Sequence, residues 1–291
     1  MNKDFKGIYV ALLTPFDKNG KVNETVLRDT IKYNIEKGVR GFYVNGSTAE
    51  VFLLTSEERE KIYRICASEA GGKAALFAHV GAISTDECIR NAKIAEDLGY
   101  DAVSAVAPFY YKFSHEQIKR HYFEIADSVS LPMLVYNFPG FSGVNLTVGQ
   151  ISEFLSDERF IGVKHTSNDY FTLAQCKLAF PNKYIYNGFD EMFLAGIAMG
   201  ADGGVGSTYN FMAEKYISIM KLCAENRLDE ARREQNEVCR IISVLVKYGI
   251  MEAEKVVMEQ LGFPYGSARG PFSELGEEQK AEIRREITDR L

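Results

Sequence analysis

Residues 160–169 read Phe160-Ile-Gly-Val-Lys-His-Thr-Ser-Asn-Asp169, a short apolar run that stops on a lysine. Runs of this length, nearly continuous in apolar residues and flanked by turn residues, suit strands buried on both faces. Comparable runs occur at 7–15, 41–46, 75–81, 102–108, 132–138, 184–188 and 202–207. Amphipathic segments such as VLRDTIKYNIEKG (26–38) and STDECIRNAKIAEDLG (84–99) separate them. These carry helical spacing, often with Ser, Thr or Asp near the start and Gly at the end. Eight such alternations before about residue 225 predict an α/β chain folded as a (β/α)8 TIM barrel. A doubly wound open sheet competes, but no GxGxxG follows the first run to favour it. Residues 228–249, 251–262 and 277–291 read as helices with no strand between them. The expected organisation is a barrel over 1–225 carrying the active site and a helical extension over 226–291 packed on it.

The 291 residues are 46% hydrophobic and 25% charged, with a net charge of −6. That balance is ordinary for a globular enzyme and lacks the basic footprint of a nucleic-acid or membrane-surface binder. No run reaches the roughly 20 apolar residues of a membrane span. IYVALL (8–13) is followed by Pro15 and Asp17 rather than a signal-peptide cleavage site. The five cysteines, at 66, 88, 176, 223 and 239, form no CxxC and read as reduced, cytoplasmic thiols.

Barrel active sites lie at the C-terminal ends of the strands. Lys164 ends the sixth run. A strand-end lysine ordinarily snorkels to water, but one desolvated there supplies a neutral amine able to attack a carbonyl. Asn45-Gly-Ser-Thr-Ala-Glu50 follows the second run, and its backbone N–H groups with the Ser47 and Thr48 hydroxyls suit a carboxylate or phosphate, or simply form a turn. Tyr136 is either a core tyrosine or, beside an iminium, a proton shuttle. Asp190-Glu191 could begin a helix, bind hydroxyls or hold a metal. A metal lacks support, because His79 and His165 near strand ends belong to no ligand motif. Gly203–Thr208 reads as a tight turn or, after the eighth run, a phosphate loop.

Taken together, GSTAE (46–50), YNFP (136–139), GVKHTS (162–167), NGFDE (187–191) and GADGGVGSTYN (200–210) resemble the pyruvate-dependent class I aldolases that include dihydrodipicolinate synthase and N-acetylneuraminate lyase. The resemblance covers nearly the whole chain, in order and spacing. It implies that Lys164 forms a Schiff base with the keto carbon, that Tyr136 moves the proton, and that Ser47 and Thr48 bind the substrate carboxylate. Thr166, Gly188, Asp190, Glu191 and Ser207 would hold the hydroxylated tail of a sugar acid. Tyr110 would enter from a neighbouring subunit of a homotetramer built from tight dimers. No cofactor or metal is implied, since the lysine supplies the electron sink.

Two details refine the resemblance. The family turn often reads GGSTGE, whereas Asn45 and Ala49 stand here, and an alanine at a positive-φ position would be strained. Dihydrodipicolinate synthases carry an arginine shortly after YN-x-P for a second carboxylate, and residues 136–144 hold none. The branch expected is therefore the one that cleaves N-acetylneuraminate to N-acetylmannosamine and pyruvate. A synthase or another 2-keto acid aldolase is the alternative, and a non-catalytic sugar-acid binder a remoter one.

Overall fold

The computed structural model describes residues 4–291. Among them, eight parallel strands pair in sequence order: β1 (Gly7–Ala11), β2 (Gly41–Val44), β3 (Ala75–His79), β4 (Ala102–Val106), β5 (Met133–Asn137), β6 (Phe160–His165), β7 (Tyr184–Asn187) and β8 (Gly203–Gly206). β8 pairs with β1, which closes a TIM barrel and excludes the open sheet.

The barrel wall is covered by α1 (Glu24–Glu36), α2 (Ser56–Ala70), α3 (Thr85–Asp97) and α4 (His115–Asp127). The short α5 (Pro139–Ser142) precedes α6 (Val148–Leu155), α7 (Tyr170–Ala179), α8 (Phe193–Ala198) and α9 (Tyr209–Ala224). Helix starts are where hydroxyl caps stand in the sequence. Thr55, Ser114 and Thr147 open α2, α4 and α6 with reciprocal capping boxes, and Ser84 caps α3. Each box satisfies two amide groups that the helix itself leaves unpaired. After the barrel come α10 (Leu228–Tyr248), α11 (Ile250–Gln260) and α12 (Glu277–Glu286). Ile241, Leu245, Val257, Met258 and Ile283 join the same buried cluster as the barrel's outer face, so these helices share its core. No described helix is long and apolar enough to cross a membrane.

Strand side chains alternate between two cores. Ile8, Val10, Phe42, Val44 and Val135 face the helices. Tyr9, Tyr43, Phe77, Leu134, Tyr136 and Tyr186 fill the barrel, with Tyr9 and Phe77 stacked at 4.4 Å. One strand breaks step. Phe160 pairs with Met133 and Gly162 with Leu134, so Ile161 is an extra residue, a β-bulge in β6. Beyond the bulge the strand has exchanged faces. Lys164 then pairs with the inward-facing Tyr136 and Tyr186.

The bulge leaves no room at Gly162, where an added Cβ would lie 1.9 Å from the Tyr184 carbonyl oxygen. Gly162→Ala should therefore destabilise the chain by about 1–3 kcal/mol through overpacking against backbone. Urea unfolding monitored by circular dichroism measures this; unchanged stability would show that β6 and β7 can part without cost.

Candidate active site

At the C-terminal mouth of the barrel, one pocket is lined by Ser47, Thr48, Tyr136, Lys164, Thr166, Gly188, Asp190, Glu191 and Ser207. Nine of the ten residues singled out in the sequence thus meet in one place. The tenth, Tyr110, does not reach it. It sits in the loop between β4 and α4, 84% exposed, at φ 77° and edge-on to Tyr111. Roomier surface grooves, such as that of about 500 Å³ beneath the barrel beside Lys6, Arg40 and Lys73, contain none of these residues.

Lys164 forms the floor. It is only 5% exposed, and its Nζ lies 4.2 Å from the Tyr136 ring centre and 4.5 Å from that of Tyr43. Those ring faces favour the cation, as does nearby Asp190, yet loss of water outweighs them. Burial lowers the amine pKa to about 7, against the pull of Asp190. At neutral pH a substantial share of Lys164 is therefore an uncharged amine. Burial also pushes the Tyr136 phenol up to about 12, opposed by the hydroxyls of Ser47 and Thr166.

The turn after β2 is a 3-10 turn, Ser47–Ala49, and as its first residues Ser47 and Thr48 have no earlier carbonyl within it for their N–H groups. Strain does not fall on Ala49, contrary to the expectation from sequence. It falls on either side, at Asn45 (φ 57°) and Glu50 (φ 58°). Both are held by buried contacts. The Asn45 carbonyl lies 2.8 Å from His79 Nδ1, and its side-chain amide donates to the Arg59 carbonyl. His79 Nε2 accepts from Val106 N–H, so Nδ1 carries the proton and donates. Burial, reinforced by Arg59, holds this ring neutral, with its pKa lowered to about 3. His165 points the other way, toward Asn137 and the Asp169 carbonyl.

On the opposite rim, Asp190 accepts from the Thr208 amide (3.0 Å) and hydroxyl (2.7 Å), and its second oxygen is buried without a partner. Burial raises its pKa to about 6, against the two Thr208 bonds. Gly188 is required by contact: a Cβ there would fall 1.8 Å from Thr166 Oγ1. The Asp190 and Glu191 carbonyls accept from the Gln235 side-chain amide on α10, at 3.2 and 3.0 Å.

The remaining lining went unread in the sequence. Phe138, Phe141 and Phe189 form one apolar wall, and Leu245, Val246 and Met251 from the C-terminal helices another. Helical periodicity marks such residues as apolar; it does not say which loop they meet. Among the described lining residues Lys164 is the one cation, and the Asp190 rim offers carboxylates and hydroxyls.

A family model described as the dihydrodipicolinate synthetase family matches residues 4–290. The chain is 43% identical over 288 residues to an N-acetylneuraminate lyase of Citrobacter koseri, covering 98% of this chain and 96% of that protein. It is 40% identical over 282 residues to one from Rhizobium meliloti, covering 97% and 94%. Among solved structures, CdNal from Clostridium difficile in complex with mannosamine superposes with a TM-score of 0.96 at 39% identity, covering 99% of both chains.

The lowered amine pKa gives a pH signature. The rate at which borohydride traps a 2-keto acid on Lys164 should climb as the amine loses its proton, pass its midpoint near pH 7 and level off about one pH unit above. A lysine of ordinary pKa would keep climbing toward about pH 10. Stopped-time trapping read by mass spectrometry distinguishes the two profiles.

Proposed function

The chain belongs to the dihydrodipicolinate synthetase family, and on that premise we infer a Schiff-base aldolase that reversibly cleaves N-acetylneuraminate to N-acetylmannosamine and pyruvate. The observation that carries this reading is a buried, readily deprotonated Lys164 against Tyr136, beneath a rim of acceptors. The relatives from Citrobacter koseri and Rhizobium meliloti, both N-acetylneuraminate lyases, support the choice of substrate.

In the proposed reaction the Lys164 amine adds to the C2 carbonyl of the open-chain keto acid, and water leaves to give an iminium. The Ser47–Thr48 turn holds the adjacent carboxylate through N–H groups and hydroxyls. As the C3–C4 bond breaks, its electron pair moves into the iminium, forming an enamine. The C4 hydroxyl proton passes to Tyr136 and the C4 aldehyde of N-acetylmannosamine departs. Protonation at C3 and hydrolysis then release pyruvate and restore the amine. A phenol kept neutral by burial is not a resident base, so Tyr136 must hand its own proton on as it accepts one. The substrate carboxylate and a neighbour's Tyr110 would complete that relay. The family chemistry needs no cofactor, and the same is proposed for this chain. None of the described cysteines is paired, which suits a reducing, cytoplasmic setting.

Pyruvate with borohydride should add one reduced three-carbon adduct per chain, on Lys164, and Lys164→Ala should abolish both adduct and turnover. Tyr136→Phe should lower kcat by roughly a hundredfold or more, the scale of one acid–base group, while trapping persists. On the same preparation, cleavage of N-acetylneuraminate should exceed condensation of pyruvate with aspartate semialdehyde, and Glu191→Ala should impair the former. A faster semialdehyde reaction would reassign the chain to the synthase branch.

The assembly we propose is a homotetramer of tight dimers in which Tyr110 serves the neighbouring site. Specific activity should then fall on dilution as light scattering reports monomer, and Tyr110→Phe should lower kcat. A fully active monomer would remove Tyr110 from the relay.

A further inference from the structure

Glu254 on α11 is 0% exposed, and no step of the aldolase reaction uses it. Its Oε1 accepts from the Ser207 hydroxyl at 2.6 Å, while Oε2 is buried without a hydrogen-bond partner. Ala253, Val256, Val257 and Met258 around it on the helix are buried and apolar, and the amine of the adjacent buried Lys255 is paired with Glu50. Leaving one carboxyl oxygen unpaired in such surroundings costs about 1–3 kcal/mol. Burial moves the acid's pKa up to about 8, so it is largely neutral at pH 7, which removes the charge but not the unpaired oxygen. An aliphatic side chain would fill the space at lower cost.

What the carboxyl provides is a hold on Ser207. The Ser207 backbone carbonyl is already fixed by the amide N–H and the side-chain Nδ2 of Asn210. Only the side-chain rotor remains, and Ser207 lines the pocket. We propose that Glu254 is a positioning residue for the substrate tail, pinning the Ser207 hydroxyl so that it meets a sugar hydroxyl already aligned. It takes no part in capturing the keto acid. The proposal rests on the aldolase reading and extends it to a residue outside the lining.

The test is steady-state condensation with N-acetylmannosamine and pyruvate varied separately, alongside thermal unfolding. Glu254→Leu should raise KM for N-acetylmannosamine by roughly three- to tenfold, the worth of one ordinary hydrogen bond. KM for pyruvate should not move, and Tm should stay level or rise. Glu254→Gln, whose amide offers Ser207 either a donor or an acceptor, should restore the amino-sugar KM. Adding Glu254→Leu to Ser207→Ala should have no further effect, because both act through one contact. A lower Tm with both KM values rising together would make Glu254 a structural residue and overturn the proposal, as would additive effects or an unchanged amino-sugar KM. A wild-type protein unable to form N-acetylneuraminate would overturn the aldolase reading itself, and this proposal with it.

Discussion

Lys164 carries its amine into a barrel filled with aromatic rings because β6 has one residue more than β5 between Phe160 and Val163. Phe160 belongs to the outer core, and two-residue alternation from it would point residue 164 outward as well. The unmatched Ile161 reverses the remainder of the strand, so Val163 packs outward and Lys164 faces Tyr43 and Tyr136. The electrostatics arise from that geometry. On the helix side the same lysine could reach toward solvent and keep an ordinary pKa. Inside, it loses water faster than the rings and Asp190 can compensate. Backbone register thus decides the protonation state of the Lys164 amine.

The loops above the floor amine are braced by the C-terminal helices. Glu50, in left-handed backbone just past the Ser47–Thr48 turn, is 2.5 Å from Lys255 on α11 and accepts from the Arg269 amide. That ion pair is fully buried, so desolvation offsets much of its Coulomb energy. Its contribution is geometric: it ties the turn to α11. Gln235 on α10 binds two carbonyls and the Leu194 amide around the Asp190–Glu191 turn. Glu254 reaches Ser207 from the residue next to Lys255. One helix therefore braces both the Ser47–Thr48 turn and the Ser207 rim of the pocket.

How much of this is legible in sequence depends on the range of each interaction. Strand ends are local features, so Lys164, Tyr136 and the Asp190–Glu191 pair can be read from apolar runs and the polar residues that close them. The bulge cannot, since FIGVK looks like any five-residue strand and only pairing with Met133 and Leu134 reveals the extra residue. The position of strain in the Asn45–Glu50 turn is equally hidden. A left-handed residue is needed on each side of the 3-10 turn rather than within it, so alanine at 49 is unstrained. The wall from α10 and α11 lies about a hundred residues along the chain from Tyr136 and Lys164, and its apolar residues look like any helix core.

Selection between substrates then reduces to charge. Lys164 is the one cation among the described lining residues, and an iminium formed on it would keep a positive charge that the keto acid's own carboxylate matches. The opposite rim keeps Glu191 and an Asp190 whose pKa stays below 7, with no second described lining cation beside Lys164 to balance them. A second carboxylate or a phosphate arriving there at about 4 Å would meet roughly 4 kcal/mol of repulsion per charge pair at a surface-like dielectric. That exceeds what one or two ordinary hydrogen bonds return. The phosphate reading of the Gly203–Thr208 loop loses on the same ground, since the Thr208 amide and hydroxyl that would greet an anion are already spent on Asp190. A neutral polyhydroxylated tail would meet no such repulsion and could donate to the acceptors, with the phenylalanine and α10–α11 walls available to its carbon skeleton. The site discriminates by what it repels as well as by what it fits.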